Sequence, residues 1–330
     1  MKALVTGGAG FIGSHLVDGL LAAGWDVTAL DNLSTGRRAN IAHLVSEPHF
    51  TFVEGDIGDT ALVESLVRGC TVVFHLAALV GVKYVVDNPL LGIRTNVAGT
   101  ESILAACYRH GVRVCIASSS EVYGESAAIP FAEDGPRVLG PTWLPRWSYA
   151  TSKALDEHLA FAYADQGLPV SVVRYFNAYG PRLDPAGYGS VVARFISQAL
   201  AGEPLTVHGD GQQTRSFTYV ADTVRGTILA GTHPAAVGDV FNVGNADEVT
   251  IEQLAREVIR ISGSTSPIVR QPYADAYGPR FVDPRRRVPD TRKADRVLGF
   301  SAQTSLREGL ARTVEWFRSS HQPSANNYHL

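Results

Sequence analysis

The chain has 330 residues and a formal net charge of −3 at pH 7, with 45% hydrophobic and 18% charged residues. This balance is typical of a globular protein longer than one usual domain; it excludes a general basic surface for nucleic acid, and no apolar run reaches the ~20 residues that span a membrane. The three cysteines, Cys70, Cys107 and Cys115, lie in apolar surroundings without metal-ligand spacing. They predict buried thiols in a reducing compartment and no metal site, and with no leader ahead of the first strand we expect a cytoplasmic protein.

A glycine-rich turn lies near the start of the chain. Residues 3–5 predict a short buried strand, residues 6–13 carry glycines at positions 7, 8, 10 and 13, and a helix is predicted from about residue 11 to residue 23. Such glycines allow a tight turn and let the backbone approach a pyrophosphate, which the helix N-terminus attracts. The order of strand, glycines and helix therefore predicts a dinucleotide-binding site.

An acidic residue follows the next predicted strand, about 20 positions after the glycines. That strand covers residues 26–30, and Asp31 stands at its end. A carboxylate here accepts hydrogen bonds from ribose hydroxyls and repels a 2′-phosphate, so it predicts NAD rather than NADP. Arg37 and Arg38 follow closely and favour the opposite choice, unless they are solvated loop charges, which is the interpretation we prefer.

The first half of the chain alternates between strands and helices. Strands are predicted at residues 51–54, 71–75, 113–118 and 170–175, and helices at residues 60–68, 89–110 and 148–166. This alternation predicts an α/β fold, a Rossmann-type doubly wound parallel sheet that binds ligands at the carboxyl ends of its strands. Asp56, His75, Asn177 and residues 118–120 fall at or just beyond such ends.

The second half is less regular. A Gly- and Pro-rich loop covers residues 180–189; strands are predicted at residues 205–207, 216–220 and 240–243, and helices at residues 191–201, 221–231, 251–261 and 305–317. We predict an NAD-binding Rossmann domain of residues 1–178 plus about 216–245. A smaller interleaved C-terminal substrate domain comprises residues 179–215 and 246–320, and residues 321–330 form a flexible tail.

A tyrosine and a lysine are separated by four positions in the predicted helix at residues 148–166. Tyr149 and Lys153 therefore lie on one helix face. An ammonium beside a phenol lowers a pKa that is otherwise about 10, which makes a base for a sugar hydroxyl. The spacing alone is common in surface helices, and it gains weight from the nucleotide-binding turn.

Eight segments spread over nearly the whole chain resemble one family. They are TGGAGFIG at residues 6–13, GDI at 55–57, HLAA at 75–78, NVAGT at 96–100, SSSEVYG at 118–124, YATSK at 149–153, RYFN at 174–177 and GDGQQTR at 209–215. Together they resemble the extended short-chain dehydrogenases/reductases that modify nucleotide sugars. The resemblance implies NAD as cofactor, a UDP-sugar as substrate, and a homodimer paired through the helices at residues 89–110 and 148–166.

The resemblance also implies roles for individual residues. Ser119, Glu121, Tyr149 and Lys153 would be catalytic, with Ser119 hydrogen-bonded to the sugar O4. The implied cofactor-binding residues are Gly7, Gly10, Phe11, Ile12, Asp31, Asn32, Ser34, Thr35, Gly36, Asp56, Ile57, Leu76, Ala77, Ala78, Asn96, Ser118, Tyr149, Lys153 and Tyr175. The implied substrate-binding residues are Lys83, Ser120, Asn177, Val191, Leu205, Val207, His208, Arg215 and Arg287; Asn177, Arg215 and Arg287 would meet the diphosphate, and Leu205, Val207 and His208 the base.

The residues around Glu121 bear on the reaction that follows oxidation of the sugar at C4. A 4,6-dehydratase resembles Thr-Asp-Glu here, and Ser120 replaces the aspartic acid that would protonate the departing hydroxyl. UDP-glucuronate decarboxylases resemble Ser/Thr-Ser-Glu, with a basic residue like Arg287 further on. We therefore favour decarboxylation of UDP-glucuronate to UDP-xylose or a UDP-4-keto-pentose, because a 4-keto sugar acid loses carbon dioxide readily.

Two alternatives stay open. The decarboxylases carry an arginine where this chain has Ser190, and residues 79–83 look closer to 4-epimerases acting on UDP-glucose or UDP-glucuronate. Lys83 in that segment is either a loop charge or a contact for the C6 carboxylate. A dinucleotide-binding regulator without chemistry is the other alternative, and the presence of both Tyr149 and Lys153 argues against it.

Overall fold

The computed structural model describes residues 1–80, 88–184, 190–278 and 283–320. The strands are β1 Lys2–Thr6, β2 Asp26–Asp31, β3 Phe50–Glu54, β4 Val72–His75, β5 Arg113–Ser119, β6 Val170–Tyr175, β7 Ala178–Tyr179, β8 Leu205–His208, β9 Thr214–Ser216, β10 Thr218–Tyr219, β11 Asp239–Val243, β12 Glu248–Thr250, β13 Ile268–Gln271 and β14 Arg286–Arg287. The helices are α1 Phe11–Ala22, α2 Thr60–Val67, α3 Pro89–His110, α4 Ser148–Asp165, α5 Val191–Ala201, α6 Val220–Thr232, α7 Ile251–Ser262, α8 Tyr273–Tyr277, α9 Arg292–Leu298 and α10 Leu306–Ser320.

A seven-stranded parallel sheet in the order β11-β6-β5-β4-β1-β2-β3 forms the centre of the molecule. The chain reverses direction across the sheet between β1 and β4, and this switch point is where such sheets bind dinucleotides. Thr6 at the end of β1 pairs with His75 at the end of β4, so the two strand ends meet at one edge. The predicted Rossmann-type fold is confirmed.

Both faces of the sheet are covered because its strands are apolar on both sides. Successive residues of β1 point to opposite faces: Ala3 and Val5 belong to one hydrophobic cluster and Leu4 to another. Helices α1 and α6 pack together, and α3 packs against α2 and α4. Cys70, Cys107 and Cys115 are buried free thiols, as predicted.

The smaller part of the molecule consists of short strands and three packed helices. Strands β12, β9 and β14 form one sheet and β13 pairs with β8, while α5, α7 and α10 contact one another. A capping box formed by Thr250 and Gln253 begins α7. The proposed division into two domains stays a prediction, although β11, which comes late in the chain, does join the large sheet beside β6.

The sequence prediction was wrong at several short elements. The single strand predicted at residues 216–220 is two strands, β9 and β10, with Phe217 between them, and β7, β12, β13, β14, α8 and α9 were missed. These segments are too short to show an alternating or helical pattern. Lys83, residues 185–189 of the predicted loop and the predicted tail at residues 321–330 lie outside the described residues. No helix among the described residues is long and apolar enough to cross a lipid bilayer.

Candidate active site

The glycine turn after β1 has the geometry of a phosphate cradle. Gly7 has φ +71°, and a Cβ atom on it would lie 2.9 Å from the Ala77 nitrogen. A Cβ atom on Gly13 would lie 2.0 Å from the Gly7 oxygen, so neither position accepts a side chain. Helix α1 begins after Gly10 without a side-chain cap, which leaves N–H groups of its first turn to a ligand. These features fit the pyrophosphate of NAD.

Asp31, at the end of β2, lies beside this turn on the side where the ribose of a bound NAD is expected. Its Oδ2 accepts a hydrogen bond from the Ala9 N–H at 3.0 Å, and its Oδ1 accepts one from the Leu33 N–H at 2.8 Å. Burial raises the pKa of this carboxyl group above its usual value. Gly36 packs on the same carboxylate, where a Cβ atom would approach Oδ1 to 2.6 Å. The carboxylate is thus held rigidly at the edge of the cleft.

The two arginines that follow Asp31 are engaged elsewhere. Arg37 pairs with Asp184 at 2.5 Å, and Arg38 pairs with Glu54. A 2′-phosphate would have to compete with these carboxylates for either guanidinium. This agrees with the preference for NAD that Asp31 predicts. The Arg37–Asp184 pair also connects the loop after β2 to the segment after β7, and a second pair between Arg182 and Asp18, at 2.7 Å, connects α1 to the same segment.

One cavity of about 1330 Å³ runs from the glycine turn to the smaller part of the molecule. It brings together most of the residues predicted for the site, which come from both parts of the chain. The predicted residues that line it are Gly7, Gly10, Phe11, Ile12, Asp31, Asn32, Ser34, Thr35, Gly36, Ile57, Leu76, Ala77, Ala78, Ser118, Ser119, Ser120, Glu121, Tyr149, Lys153, Tyr175, Asn177, Val191, His208, Arg215 and Arg287. Within the described residues, no group of three His, Cys, Asp or Glu side chains is arranged to hold a metal ion.

Four predicted residues do not line the cavity. Leu205 and Val207 are fully buried in the hydrophobic core, so their side chains do not flank a base from this position. Asp56 accepts hydrogen bonds from Asn32 Nδ2 and the Gly58 N–H, both at 2.7 Å.

Asn96 is the fourth of these residues, and it connects two helices with the cavity wall. Its Oδ1 accepts from the Leu79 N–H at 2.7 Å, and its Nδ2 donates to Ser152 Oγ at 3.1 Å. Asn96 thereby fixes α3 against the turn of α4 that carries the tyrosine and lysine. Lys83 lies outside the described residues.

Tyr149 and Lys153 occupy neighbouring turns of α4 and face the cavity. Ser119 hydrogen-bonds the Tyr149 hydroxyl, and the Lys153 Nζ donates to Asp156 Oδ2 at 3.0 Å. Burial, and then the negative charge of Glu121, raise the pKa of Tyr149. The prediction that the pKa of Tyr149 lies below its ordinary value is therefore wrong for the protein alone, because burial disfavours the charged phenolate.

Glu121 lies between two buried arginines. Its Oε2 is 2.7 Å from Arg146 Nη2, and its Oε1 accepts from Arg287 Nη1 at 2.6 Å. The two guanidinium groups outweigh burial and lower the pKa of Glu121 to about 2. Sequence reasoning missed Arg146; its place in the turn before α4, three residues from Tyr149, is the signal that was available.

A second arginine stands beside Arg287. Strands β9 and β14 are parallel, and Arg215 pairs with Arg287 in their register. Arg215 Nη2 donates to Asp283 Oδ1 at 2.6 Å, and the Tyr273 hydroxyl donates to Asp283 Oδ2 at 2.8 Å. Both arginines are buried and line the cavity, so this small sheet presents a row of positive charge to an anionic ligand.

Comparison with known proteins identifies close relatives along the whole chain. The family model described as GDP-mannose 4,6 dehydratase matches residues 4–313. UDP-N-acetyl-alpha-D-glucosaminuronate decarboxylase from Bacillus cytotoxicus is 42% identical over 317 residues, which cover 96% of this chain and 98% of that protein. UDP-glucuronic acid decarboxylase 1 from Xenopus tropicalis is 38% identical over 330 residues, 100% of this chain and 75% of that one. The structure of UDP-glucose 4-epimerase from Thermus thermophilus in complex with NAD superimposes with a TM-score of 0.83 and 34% identity, covering 97% of this chain and 100% of that chain.

Proposed function

The chain belongs to the GDP-mannose 4,6-dehydratase family of extended short-chain dehydrogenases/reductases, and from this premise we propose that it is an NAD-dependent decarboxylase of a UDP-hexuronate. The substrate is UDP-glucuronate, and the product is UDP-xylose or the UDP-4-keto-pentose that precedes it. NAD, when bound, accepts a hydride from C4 of the sugar. The curated decarboxylases that match this chain over nearly its whole length support this proposal.

The buried arginines at the sugar end of the cavity favour an acidic sugar. Arg146 and Arg287 both contact Glu121, and their side chains are only 5% and 6% exposed. Arg287 Nε is buried and has no hydrogen-bond partner among the described residues. A buried donor that lacks a partner costs about 1–3 kcal/mol. A C6 carboxylate would accept a charge-assisted hydrogen bond from this Nε, so in this proposal Arg287 meets the carboxylate rather than the diphosphate that the resemblance implies.

The residues on the other side of the sugar suit the two chemical steps. Ser119 and Tyr149 would contact O4, where Tyr149 takes the hydroxyl proton during oxidation. As the C5–C6 bond then breaks, its electrons pass towards the C4 carbonyl oxygen. Tyr149 is a neutral phenol once it has taken the O4 proton, so after oxidation it would donate a hydrogen bond to that oxygen and stabilise its developing charge.

The same geometry disfavours a 4,6-dehydratase. A carboxylate with a pKa of about 2 is a weak base, so Glu121 is poorly suited to remove the C5 proton. Ser120 is buried and supplies a hydroxyl rather than the acid that elimination requires. We interpret Glu121 as the group that orders the two arginines.

A 4-epimerase is the second candidate, because it shares the first oxidation and because a UDP-glucose 4-epimerase has a similar structure. One experiment separates the candidates: incubation with UDP-glucuronate, UDP-N-acetylglucosaminuronate and UDP-glucose in separate reactions, with products identified by NMR and carbon dioxide measured. We expect carbon dioxide from UDP-glucuronate and no epimer of UDP-glucose. Epimer formation without carbon dioxide would reject the decarboxylase and support the epimerase, and Tyr149→Phe is the inactive control.

We also propose a homodimer in the cytoplasm. Helices α3 and α4 carry exposed apolar side chains, including Leu91, Ile93 and Tyr108 on α3 and Leu155 on α4. Pairing of these two helices with those of a second copy would cover this surface. Sedimentation at micromolar concentration should detect a dimer, and a monomer there would contradict the proposal.

A further inference from the structure

A buried row of polar side chains runs from the glycine turn to the lysine of the active site. Thr6 Oγ1 lies 2.8 Å from His75 Nδ1, and His75 Nε2 lies 3.1 Å from Thr100 Oγ1. The Thr100 hydroxyl faces the carboxylate of Asp156, whose pKa is raised by burial although Lys153 and Thr100 act in the opposite direction, and Asp156 Oδ2 accepts from Lys153 Nζ at 3.0 Å. All five residues are at most 3% exposed. The position of Lys153 is therefore tied to β1, β4 and α3 as well as to its own helix.

We propose that Asp156 is a positioning residue for the oxidation step: it holds the Lys153 ammonium in the cavity wall, and its charge sets the pH at which Tyr149 can accept the substrate proton. Asp156 is fully buried and does not line the cavity, so it acts through the lysine and the tyrosine. A long lysine side chain that lacked this buried acceptor would have more rotamers available. The Asp156 carboxylate therefore reduces the effect of the Lys153 ammonium on Tyr149, and it also fixes the orientation of that ammonium.

Among the described residues, charged and polar groups from several elements face Tyr149 and Asp156. Tyr149 faces Glu121 from the turn after β5 and Asp156 from its own helix, and both carboxylates raise its pKa, while Ser119 lowers it.

On the other side, Asp156 is faced by Lys153, by Thr100 from α3 and by the neighbouring Glu157. Glu157 is engaged by Arg174, whose Nη2 lies 2.7 Å from Glu157 Oε2. His75, next along the row, is neutral because burial lowers its pKa to about 3. Asp156 is thus the carboxylate of this row that contacts the lysine, and loss of its charge should make the Tyr149 phenolate easier to form.

The inference rests on the proposed C4 oxidation, which a decarboxylase and a 4-epimerase share. The readout is accordingly the pH dependence of reduced nicotinamide formation in a single turnover, measured with a substrate that the enzyme is found to oxidise. Failure of decarboxylation with UDP-glucuronate would reject the proposed function and leave this measurement possible with a neutral UDP-sugar.

Asp156→Asn tests the charge, because the amide has nearly the same shape and its oxygen still accepts from Lys153. We expect the acid limb of the profile to move to lower pH by about one unit. Asp165→Asn removes the same charge from the exposed end of the same helix and should leave the limb in place, since solvent and salt screen it. An unmoved limb in Asp156→Asn, or a limb at higher pH, would overturn the inference.

Thr100→Val tests the positioning of Lys153 separately, and it still tests the proposal if Asp156→Asn does not fold. This change removes the hydroxyl between His75 and Asp156 and keeps every charge. We expect the rate of reduced nicotinamide formation to fall several-fold on the pH plateau while NAD still binds. A plateau rate equal to that of the unaltered protein would show that the row has only a structural role and would overturn the inference.

Discussion

At the scale of single residues, Glu121 and Tyr149 act through the charges that surround them. The carboxylate of Glu121 is ionised because Arg146 and Arg287 hold it, and it in turn raises the pKa of Tyr149. The residue types and their order along the chain were visible in the sequence. The direction of each pKa shift was not, because the shift of Tyr149 depends first on burial and that of Glu121 on Arg146 and Arg287, which only the fold brings to it.

Removal of the Tyr149 hydroxyl should stop the reaction without removing the cofactor. Tyr149→Phe removes the hydroxyl that is proposed to accept the O4 proton and changes little packing, so we expect turnover to fall by about 10²- to 10⁴-fold. NAD binding, measured by fluorescence titration, should change little. Tyr163→Phe is a matched control on the same helix, because that hydroxyl donates to Glu101 at 2.8 Å, away from the cavity. Near-normal turnover in Tyr149→Phe would contradict the assignment.

Glu121 should also contribute to stability in a pH-dependent way. Its pKa in the folded protein is about 2, below the ordinary value near 4.5, which corresponds to about 3 kcal/mol. Because the folded pKa is the lower one, this contribution is complete above about pH 4.5 and is lost as the pH falls towards 2.

Urea unfolding of the protein and of Glu121→Gln should therefore differ at pH 7 by about 3 kcal/mol in the free energy of unfolding, and the difference should narrow below pH 4. A difference that stays constant with pH would show that the charge of Glu121 does not stabilise the fold.

At the scale of secondary structure, the central sheet was predictable and the small sheet was not. The strands of the large sheet are apolar runs bounded by helices, and a local pattern suffices to find them. Strand β14 consists of Arg286 and Arg287 alone and exists because β9 lies beside it. The resemblance identified Arg287 as a site residue, but its register with Arg215 is a tertiary feature that no local pattern encodes.

His75, the last residue of β4, should lower the stability of the protein in acid. His75 is buried with a pKa of about 3, whereas an unfolded histidine titrates near pH 6.5. Below pH 6.5 the unfolded chain therefore binds a proton that the folded chain does not. As the pH falls from 6.5 towards 3, His75 lowers the free energy of unfolding by ~1.4 kcal/mol per pH unit.

Urea unfolding between pH 5 and 6 should show this slope, and His75→Gln should reduce it by that amount. His15 and His208, whose pKa values are also lowered, remain in both proteins and cancel in the comparison. Equal slopes in the two proteins would contradict the neutral state of His75.

At the scale of the whole molecule, the two parts of the chain meet across the cavity through ion pairs. Arg37–Asp184 and Arg182–Asp18 connect the glycine-turn side to the segment after β7. The interleaved course of the chain was predicted from the second-half pattern. These contacts were not, because they join residues more than 140 positions apart that no periodic signal relates.

These pairs should slow the departure of the cofactor. Asp184→Asn breaks an exposed pair worth at most about 1 kcal/mol, so we expect NADH to dissociate up to about fivefold faster in stopped-flow measurements, with a smaller difference at high salt. Glu54→Gln breaks the exposed Arg38 pair, which does not bridge the cavity, and serves as the control. An unchanged rate in Asp184→Asn would show that the segment does not retain the cofactor.

The register of β9 and β14 has a consequence for the end of the catalytic cycle. Adjacent strands lie about 4.8 Å apart, so Arg215 and Arg287 can hold two anionic groups of one ligand at once. On the proposed chemistry, carbon dioxide leaves and the sugar becomes a neutral pentose, so that only the diphosphate anchor remains. The product would then bind more weakly than the substrate, and the same step that completes the reaction would promote product release.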